Sequence, residues 1–223
     1  MSSRRTGYAV IAAILLACAV AFARAEQLKL AHSPVTSPRM TKHFSPVCAE
    51  YPPVPAACLR HATLSFKLRK GAGLSLSLVD SAGHTVFVFP QAVNRRPAGR
   101  VQVTWDGRTQ SGALAPDGSY RLRVHLLTLG RTITIPTPLI VDTVKPVLTL
   151  LSRPGATPVR YRVSEPAHVF LAFNAGGHVT VLRGRNGRVR IPEALRRRGG
   201  SMLMVAVDLA GNRSHTVSVG SLS

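Results

Sequence analysis

Two cysteines and two histidines form one candidate site for covalent or metal chemistry. Cys48 and Cys58 are ten positions apart, and His43 and His61 flank them. Two Cys and two His could hold zinc, although their spacing matches none of the usual zinc patterns. In an oxidising compartment the two cysteines would instead form a disulfide. We expect the disulfide, which would close a short loop and stabilise the fold by about 2–3 kcal/mol.

The acidic residues argue against an enzyme. General acid–base catalysis, divalent metals and catalytic triads need carboxylates or an equivalent base in one cleft. The chain has 9 Asp and Glu, and Asp80, Asp106, Asp117 and Asp208 all fall in turn signatures, where a carboxylate caps its own backbone. The 8 histidines are scattered, and the sequence has no Gly-x-Ser-x-Gly motif. We therefore predict no catalytic residue, no metal and no cofactor.

Arginine carries the remaining functional signal. The formal net charge is +20, and 24 of the 29 basic residues are Arg. A run of arginines towards the C-terminus forms the candidate polyanion-binding patch: Arg183, Arg185, Arg188, Arg190, Arg196, Arg197 and Arg198. Strand alternation puts Arg188 and Arg190 on one face, and guanidinium groups suit phosphate and carboxylate. The alternative is a solvated surface whose charge reflects composition only. With no recognition helix and no aromatic stacking platform, specific nucleic-acid binding is not expected.

The N-terminus predicts export. Arg4 and Arg5 precede an apolar run over residues 8–22, and Ala23-Arg24-Ala25 supplies the small-x-small cleavage pattern. The run is shorter than the roughly 20 residues that cross a bilayer, so residues 1–25 are predicted to be a cleaved signal peptide, with no permanent membrane span afterwards. A lipid anchor on Cys18 is the alternative. Either way, the predicted location is outside the cytoplasm of a bacterium, secreted or attached to the envelope.

Beyond a flexible leader predicted over residues 26–43, the pattern is that of β-strands. Apolar residues alternate with polar ones along several segments: Leu64, Phe66 and Leu68; Leu74, Leu76 and Leu78; Val101 and Val103; Tyr120, Leu122 and Val124. Turn residues separate these segments at about 8–12 residues, which is typical of a β-sandwich.

A second copy of this pattern follows the first. Residues 66–68 match residues 161–163, and residues 74–78 match residues 169–173, both displaced by 95 positions. The sequence therefore predicts an all-β protein of two tandem β-sandwiches, over residues 44–140 and 141–223.

Two motifs in the first domain resemble the Ig-like domain of flagellar hook-capping (FlgD-type) proteins: Trp105-Asp106-Gly107 and Pro116-Asp117-Gly118-Ser119-Tyr120. The second domain resembles bacterial Ig-like repeats more loosely, through the segment Val207 to Asn212. The resemblance implies immunoglobulin- or fibronectin-III-like sandwiches in which the motif residues are structural. In the family an acidic loop suggestive of calcium follows an opening motif that Phe44-Ser45-Pro46 resembles, but here the Cys48–Cys58 segment stands in its place. Calcium binding is therefore not implied.

These observations predict a secreted, non-catalytic structural or interaction protein that acts by adhesion, spacing or assembly. Its partner would be a protein or an envelope polymer, and its oligomeric state is open. An exposed strand edge could recruit another chain. The alternative is an arginine-mediated binding module for anionic cell-envelope polymers, and an enzyme built from dispersed residues ranks behind both.

Overall fold

The computed structural model describes residues 14–20, 33–50, 54–90 and 96–222, and strands dominate their regular structure. Residues 14–20 are helical (α1), and their side chains are exposed. They lie within the predicted signal peptide, whose other residues, with the predicted cleavage site at Ala25, lie outside the described residues. Within the described ranges, the helices fall short of what a bilayer crossing requires.

The first domain is a sandwich of two sheets. Its strands are β1 (Val35–Met40), β2 (His43–Phe44), β3 (Ala62–Leu68), β4 (Leu74–Val79), β5 (Thr85–Phe89), β6 (Gly99–Trp105), β7 (Gly118–Leu126), β8 (Arg131–Thr134) and β9 (Leu139–Val141), with a 3-10 turn at Leu127–Leu129. The smaller sheet has the order β1-β3-β6, and the larger has the order β2-β9-β7-β4-β5, with β8 also paired to β7. The predicted boundary at residue 140 therefore falls inside β9, which belongs to this domain.

Alternating side chains of these strands fill the space between the two sheets. Trp105 is 1% exposed, and its ring meets those of Phe44 and Tyr120 edge to face, at centroid distances of 5.6 and 5.3 Å. The alternating leucines of β3 and β4 are buried around it. Each fully buried large apolar side chain contributes about 1.5–3 kcal/mol. The predicted all-β fold is confirmed, and the alternation that predicted it marks the core positions.

The Trp105-Asp106-Gly107 motif closes the end of β6. The indole Nε1 of Trp105 donates to the Arg108 carbonyl at 2.7 Å, and Asp106 Oδ1 accepts from the Arg108 N–H at 3.0 Å. Gly107 has φ +79°, and a Cβ there would lie 2.6 Å from Cγ of Pro46. The motif therefore needs glycine for its backbone conformation and for its close approach to Pro46.

The Pro116-Asp117-Gly118 turn stabilises β7 and the inter-domain linker, which is formed by residues 142–147. The Tyr120 hydroxyl donates to the Pro116 carbonyl at 2.6 Å. The Asp117 carboxylate accepts from the backbone N–H and the hydroxyl of Thr143, at 2.9 and 3.0 Å. Gly118 adopts φ +152°. Asp117 therefore ties the first domain to the start of the linker.

The leader predicted over residues 26–43 was wrong for its C-terminal part. Residues 35–40 form β1, which pairs with β3, and His43 begins β2. The pairing of β1 shifts register between Thr36 and Arg39, and Ser37 has φ +49°. A bulge at Pro38 breaks the period-two pattern, so this edge strand looks irregular in the sequence.

The second domain repeats the same topology. Its strands are β10 (Leu148–Leu150), β11 (Val159–Val163), β12 (Ala167–Ala175), β13 (His178–Arg183), β14 (Arg188–Val189), β15 (Gly200–Asp208) and β16 (Val217–Leu222), with helix α2 at Glu193–Arg196. The order β10-β11-β14 corresponds to β1-β3-β6, and β13-β12-β15-β16 corresponds to β5-β4-β7-β9. The segments that match in sequence are therefore equivalent strands, β3 with β11 and β4 with β12.

Candidate interaction surfaces

Three arginines form a row across the smaller sheet of the second domain. Asn186 and Gly187, at φ +50° and +72°, make a two-residue hairpin turn in which Arg185 and Arg188 exchange backbone hydrogen bonds of 2.9 and 3.0 Å. On its other side, Arg188 of β14 pairs in register with Arg160 of β11. Residues opposite one another in an antiparallel ladder share a face. Arg185, Arg188 and Arg160 are named here the arginine row.

Two further arginines extend the row into a larger face. The side chains of Val159, Tyr161 and Val189 are buried in the core, so the alternating residues of these strands point to solvent. The exposed residues that alternate with them include Arg162 of β11 and Arg190, which lies just beyond the end of β14; each is two positions along the chain from the row. The arginine face is defined as the row with these two residues. Among the described residues, none of its five guanidinium groups pairs with a carboxylate.

The seven arginines singled out in the sequence divide among three places. Three of them, Arg185, Arg188 and Arg190, lie on the arginine face. Arg183 lies on the opposite side of the sandwich, where it pairs in register with Phe170 and its Nη2 is 2.6 Å from the His168 ring. Three lie at or just after α2: Arg196 and Arg197 bond to Glu193 at 2.9 and 3.4 Å, and Arg198 is exposed. The patch remains a prediction as a binding site.

Sequence reasoning missed Arg160 and Arg162. They belong to β11, more than twenty residues before the hairpin, and join the others only through strand pairing. Their signal was the alternation Val159-Arg160-Tyr161-Arg162-Val163, in which arginine occupies the solvent positions of a strand.

The larger sheet of the second domain has an apolar outer face, which the Cys48–Cys58 loop covers. Phe170, Val205 and Val207 are 5%, 4% and 5% exposed, and Val54 and Ala56 pack against them. We call residues 48–58 the strap; residues 51–53 of it lie outside the described residues. The strap belongs to the first domain and lies against the second.

The predicted disulfide between Cys48 and Cys58 is confirmed, with their Cα atoms 5.7 Å apart. Arg60 Nε donates to the Cys48 carbonyl at 2.9 Å, which fixes the base of the strap. Because the two sulfurs bond to each other, they are not thiolates that could hold zinc with His43 and His61.

The loop Asp208 to Asn212 docks onto the strap. A Cβ at Gly211 would lie 2.9 Å from the Ala57 carbonyl oxygen and 3.5 Å from Sγ of Cys48, and the residue has φ +95°. The Nδ2 of Asn212 donates to the Asp142 carbonyl in the linker at 2.8 Å. The segment that resembled Ig-like repeats therefore makes the inter-domain contact.

Three carboxylates meet at this junction. Asp142, Glu165 and Asp208 each offer an oxygen within 4.8 Å of the others. Burial, and then the Asp142 and Asp208 charges, raise the pKa of Glu165; burial is also the main cause that raises the pKa of Asp142. Asp208 Oδ1 accepts three backbone N–H bonds of 2.7–2.9 Å, and its Oδ2 accepts from Asn212. Oxygens of this kind suit hard cations, but both oxygens of Asp208 are already engaged. No motif or spacing in the sequence predicted that these three acids would meet.

The two equivalent edge strands differ in their cover. On β5, the Gln110 N–H donates to the Val86 carbonyl and its Oε1 accepts from the Val88 N–H, both at 3.0 Å. On β13, the described residues provide no comparable cover, and Val179 is 48% exposed. As far as the described residues show, strand addition is therefore blocked at β5 and open at β13.

The fold is that of a protein built from two Ig-like β-sandwiches, and a family model matches part of the first one. Residues 60–129 match the family model of the FlgD Ig-like domain, which confirms the predicted resemblance over that segment. No curated protein sequence matches the chain.

Three solved structures resemble the chain at low identity. Fibronectin(III)-like modules of CbhA from Clostridium thermocellum are 14% identical, with a TM-score of 0.38, covering 82% of this chain and 91% of that one. FlgD from P. aeruginosa is 17% identical (TM-score 0.31; 72% and 94% covered). A C-terminal fragment of intimin, solved in complex with the intimin-binding domain of its translocated receptor, is 11% identical (TM-score 0.36; 85% and 64% covered).

Proposed function

We propose that this chain is an exported, non-catalytic interaction protein whose two Ig-like domains act as one stiff spacer outside the cytoplasm. The family match over residues 60–129 and the disulfide support a structural role in an oxidising compartment. The predicted signal peptide agrees with export. The observation that carries the proposal is the contact of the strap with the second domain.

The linker supports the same proposal because it is held on both sides. Thr143 bonds to Asp117 of the first domain, and the Asp142 carbonyl accepts from Asn212 of the second. The Val147 N–H donates to the Ser164 hydroxyl at 2.9 Å. A linker bonded at three points, beside an apolar contact, restricts relative domain motion. A spacer or adhesion role needs such a fixed arrangement.

Retention of purified protein on isolated cell envelopes across a salt series tests this function. Protein contacts through the sandwiches predict retention that is indifferent to salt between about 50 and 500 mM. Failure to be retained at any salt concentration would contradict the proposal.

A second candidate function is an arginine-mediated binding module for anionic envelope polymers. The observation that favours it is the arginine row, because like charges directly opposite one another destabilise a sheet unless an anion neutralises them. This function predicts that retention collapses over the same salt range, since binding through arginine releases counterions.

A further inference from the structure

We propose that the arginine face binds a linear polymer of phosphate groups, laid across β11 and β14. This inference rests on the second proposed function and adds to it the surface and the chemistry of the ligand. The contact would involve Arg160 and Arg162 as well as arginines of the hairpin.

The spacing of the face sets what can bind there. Opposite residues of the row have Cβ atoms about 4.5–5.5 Å apart, and Arg162 lies about 6.6 Å along β11 from it. A matching ligand must carry several negative charges at intervals no longer than about 5–7 Å. A phosphate chain does so, since even one strand of DNA has a charge about every 3.4 Å. Widely spaced carboxylates would leave most of the row without a counter-charge.

The charge of the face is complementary to such a ligand. Its five guanidinium groups make no ion pair among the described residues, whereas Arg196 and Arg197 share Glu193. Guanidinium forks bind phosphate oxygens in bidentate fashion. Thr149, which pairs with Arg162 and is exposed, adds a hydroxyl beside the face.

The same surface does not suit the reading of nucleic-acid bases. Binding of single strands through their bases requires aromatic side chains on which the bases stack. The aromatic residue of β11 is Tyr161, which is 8% exposed and packs in the core, and the exposed large hydrophobic side chains of the described residues are all aliphatic. The face therefore recognises phosphate charge and spacing.

The test is a titration of purified protein with long-chain inorganic polyphosphate, followed by fluorescence anisotropy at several salt concentrations. The row variant combines Arg160→Ser, Arg185→Ser and Arg188→Ser. It should bind at least tenfold more weakly, and the slope of log affinity against log salt should fall by about 2–3, one counterion per lost contact. Polyphosphate should also raise the melting temperature of the wild type and not that of the row variant. The melting temperatures measured without polyphosphate show whether the row variant has a folding defect.

The matched control removes the same charge from another site. Arg196→Ser, Arg197→Ser and Arg198→Ser together also lower the net charge by three, but they lie around α2, where Glu193 already pairs with two of them. This variant should lose less than about threefold in affinity. An equal loss in both variants would overturn the proposal, because it would show attraction to overall charge alone.

Two further probes distinguish the source of the anion. Polyglutamate of similar length should bind at least tenfold more weakly than polyphosphate, and equal affinity would overturn the assignment to phosphate. Stronger binding to phosphatidylglycerol vesicles than to polyphosphate would overturn the proposal of a polymer ligand and would indicate a membrane surface instead. If polyphosphate fails but envelope retention stays salt-sensitive, this inference fails and the second proposed function stands. If both fail, so does that function.

Discussion

The two outer faces of the second domain are opposite in character. One carries Phe170, Val205 and Val207, all nearly inaccessible because the strap lies over them. The other carries the arginine face, which the described residues leave open to solvent. The first face is used inside the molecule, to join the domains. Among the described residues the second has no internal partner, so its cross-strand arginines are suited to bind something outside the molecule.

The largest effect is expected from opening the strap. Replacing both Cys48 and Cys58 by Ser should lower stability by about 2–3 kcal/mol, or roughly 4–12 °C in melting temperature for a chain of this size. Binding of a hydrophobic dye should rise because the apolar face loses its cover. Wild-type protein treated with a dithiol reductant should show the same loss of stability and the same rise in dye binding. Unchanged dye binding would show that the strap stays docked without the disulfide.

A smaller effect is expected from Gly211→Ala, which places a methyl group against the strap. Gly177→Ala is the control. It has the same strain of a positive φ, at +84°, but nothing lies within 4 Å of its added carbon. The difference in the free energy of unfolding between these two variants isolates the inter-domain contact. Gly211→Ala should be the less stable of the two, by about 1–3 kcal/mol. Thermal unfolding measures it. Equal destabilisation would mean that the loop does not dock as described.

A third variant should stabilise the protein. Arg188→Ser removes the central charge of the row, between Arg185 and Arg160, and should raise stability by about 0.2–1 kcal/mol at low salt. The gain should shrink at about 0.5 M salt because exposed charges are screened. Arg198→Ser, outside the row, serves as the control and should change little. A loss of stability in Arg188→Ser would contradict the view that the row is repulsive in the absence of a ligand.

The smallest effect is expected in how stability depends on pH, through Glu165 at the junction of the two domains. Burial and neighbouring carboxylates raise the pKa of Glu165 in the folded protein, so its ionised form lowers stability above that pKa. Glu165→Gln should therefore raise the melting temperature at pH 7, by on the order of 1 °C. The gain should fade as the pH drops through the raised pKa towards the ordinary glutamate pKa of 4.5, because the wild-type carboxyl is then protonated as well. A gain independent of pH would exclude this electrostatic cause.

Much of the fold could be predicted because its evidence is local. The alternation in β3 and β4, the turn residues and the repeat all lie within short windows, and Cys48 and Cys58 were the two cysteines left after the predicted signal. The irregular β1 was missed because its bulge breaks the periodicity.

The surfaces were harder to predict because they depend on register and docking. Arg160 meets Arg188 only when β11 pairs with β14, and Arg183 leaves the predicted patch because β13 belongs to the other sheet. The docking of Gly211 on the strap joins residues more than 150 positions apart. The meeting of Asp142, Glu165 and Asp208 likewise depends on how the two domains sit together.

The claim that separates the two proposed functions is that the arginine face is the surface through which the protein contacts its surroundings, as the second function and the further inference require. The most direct measurement compares retention of the wild type, the row variant and the α2 control variant on isolated envelopes at about 150 mM salt. The account predicts that the wild type and the α2 variant are retained alike and that the row variant is lost. Retention of all three to the same extent, or equal loss of both variants, would contradict it.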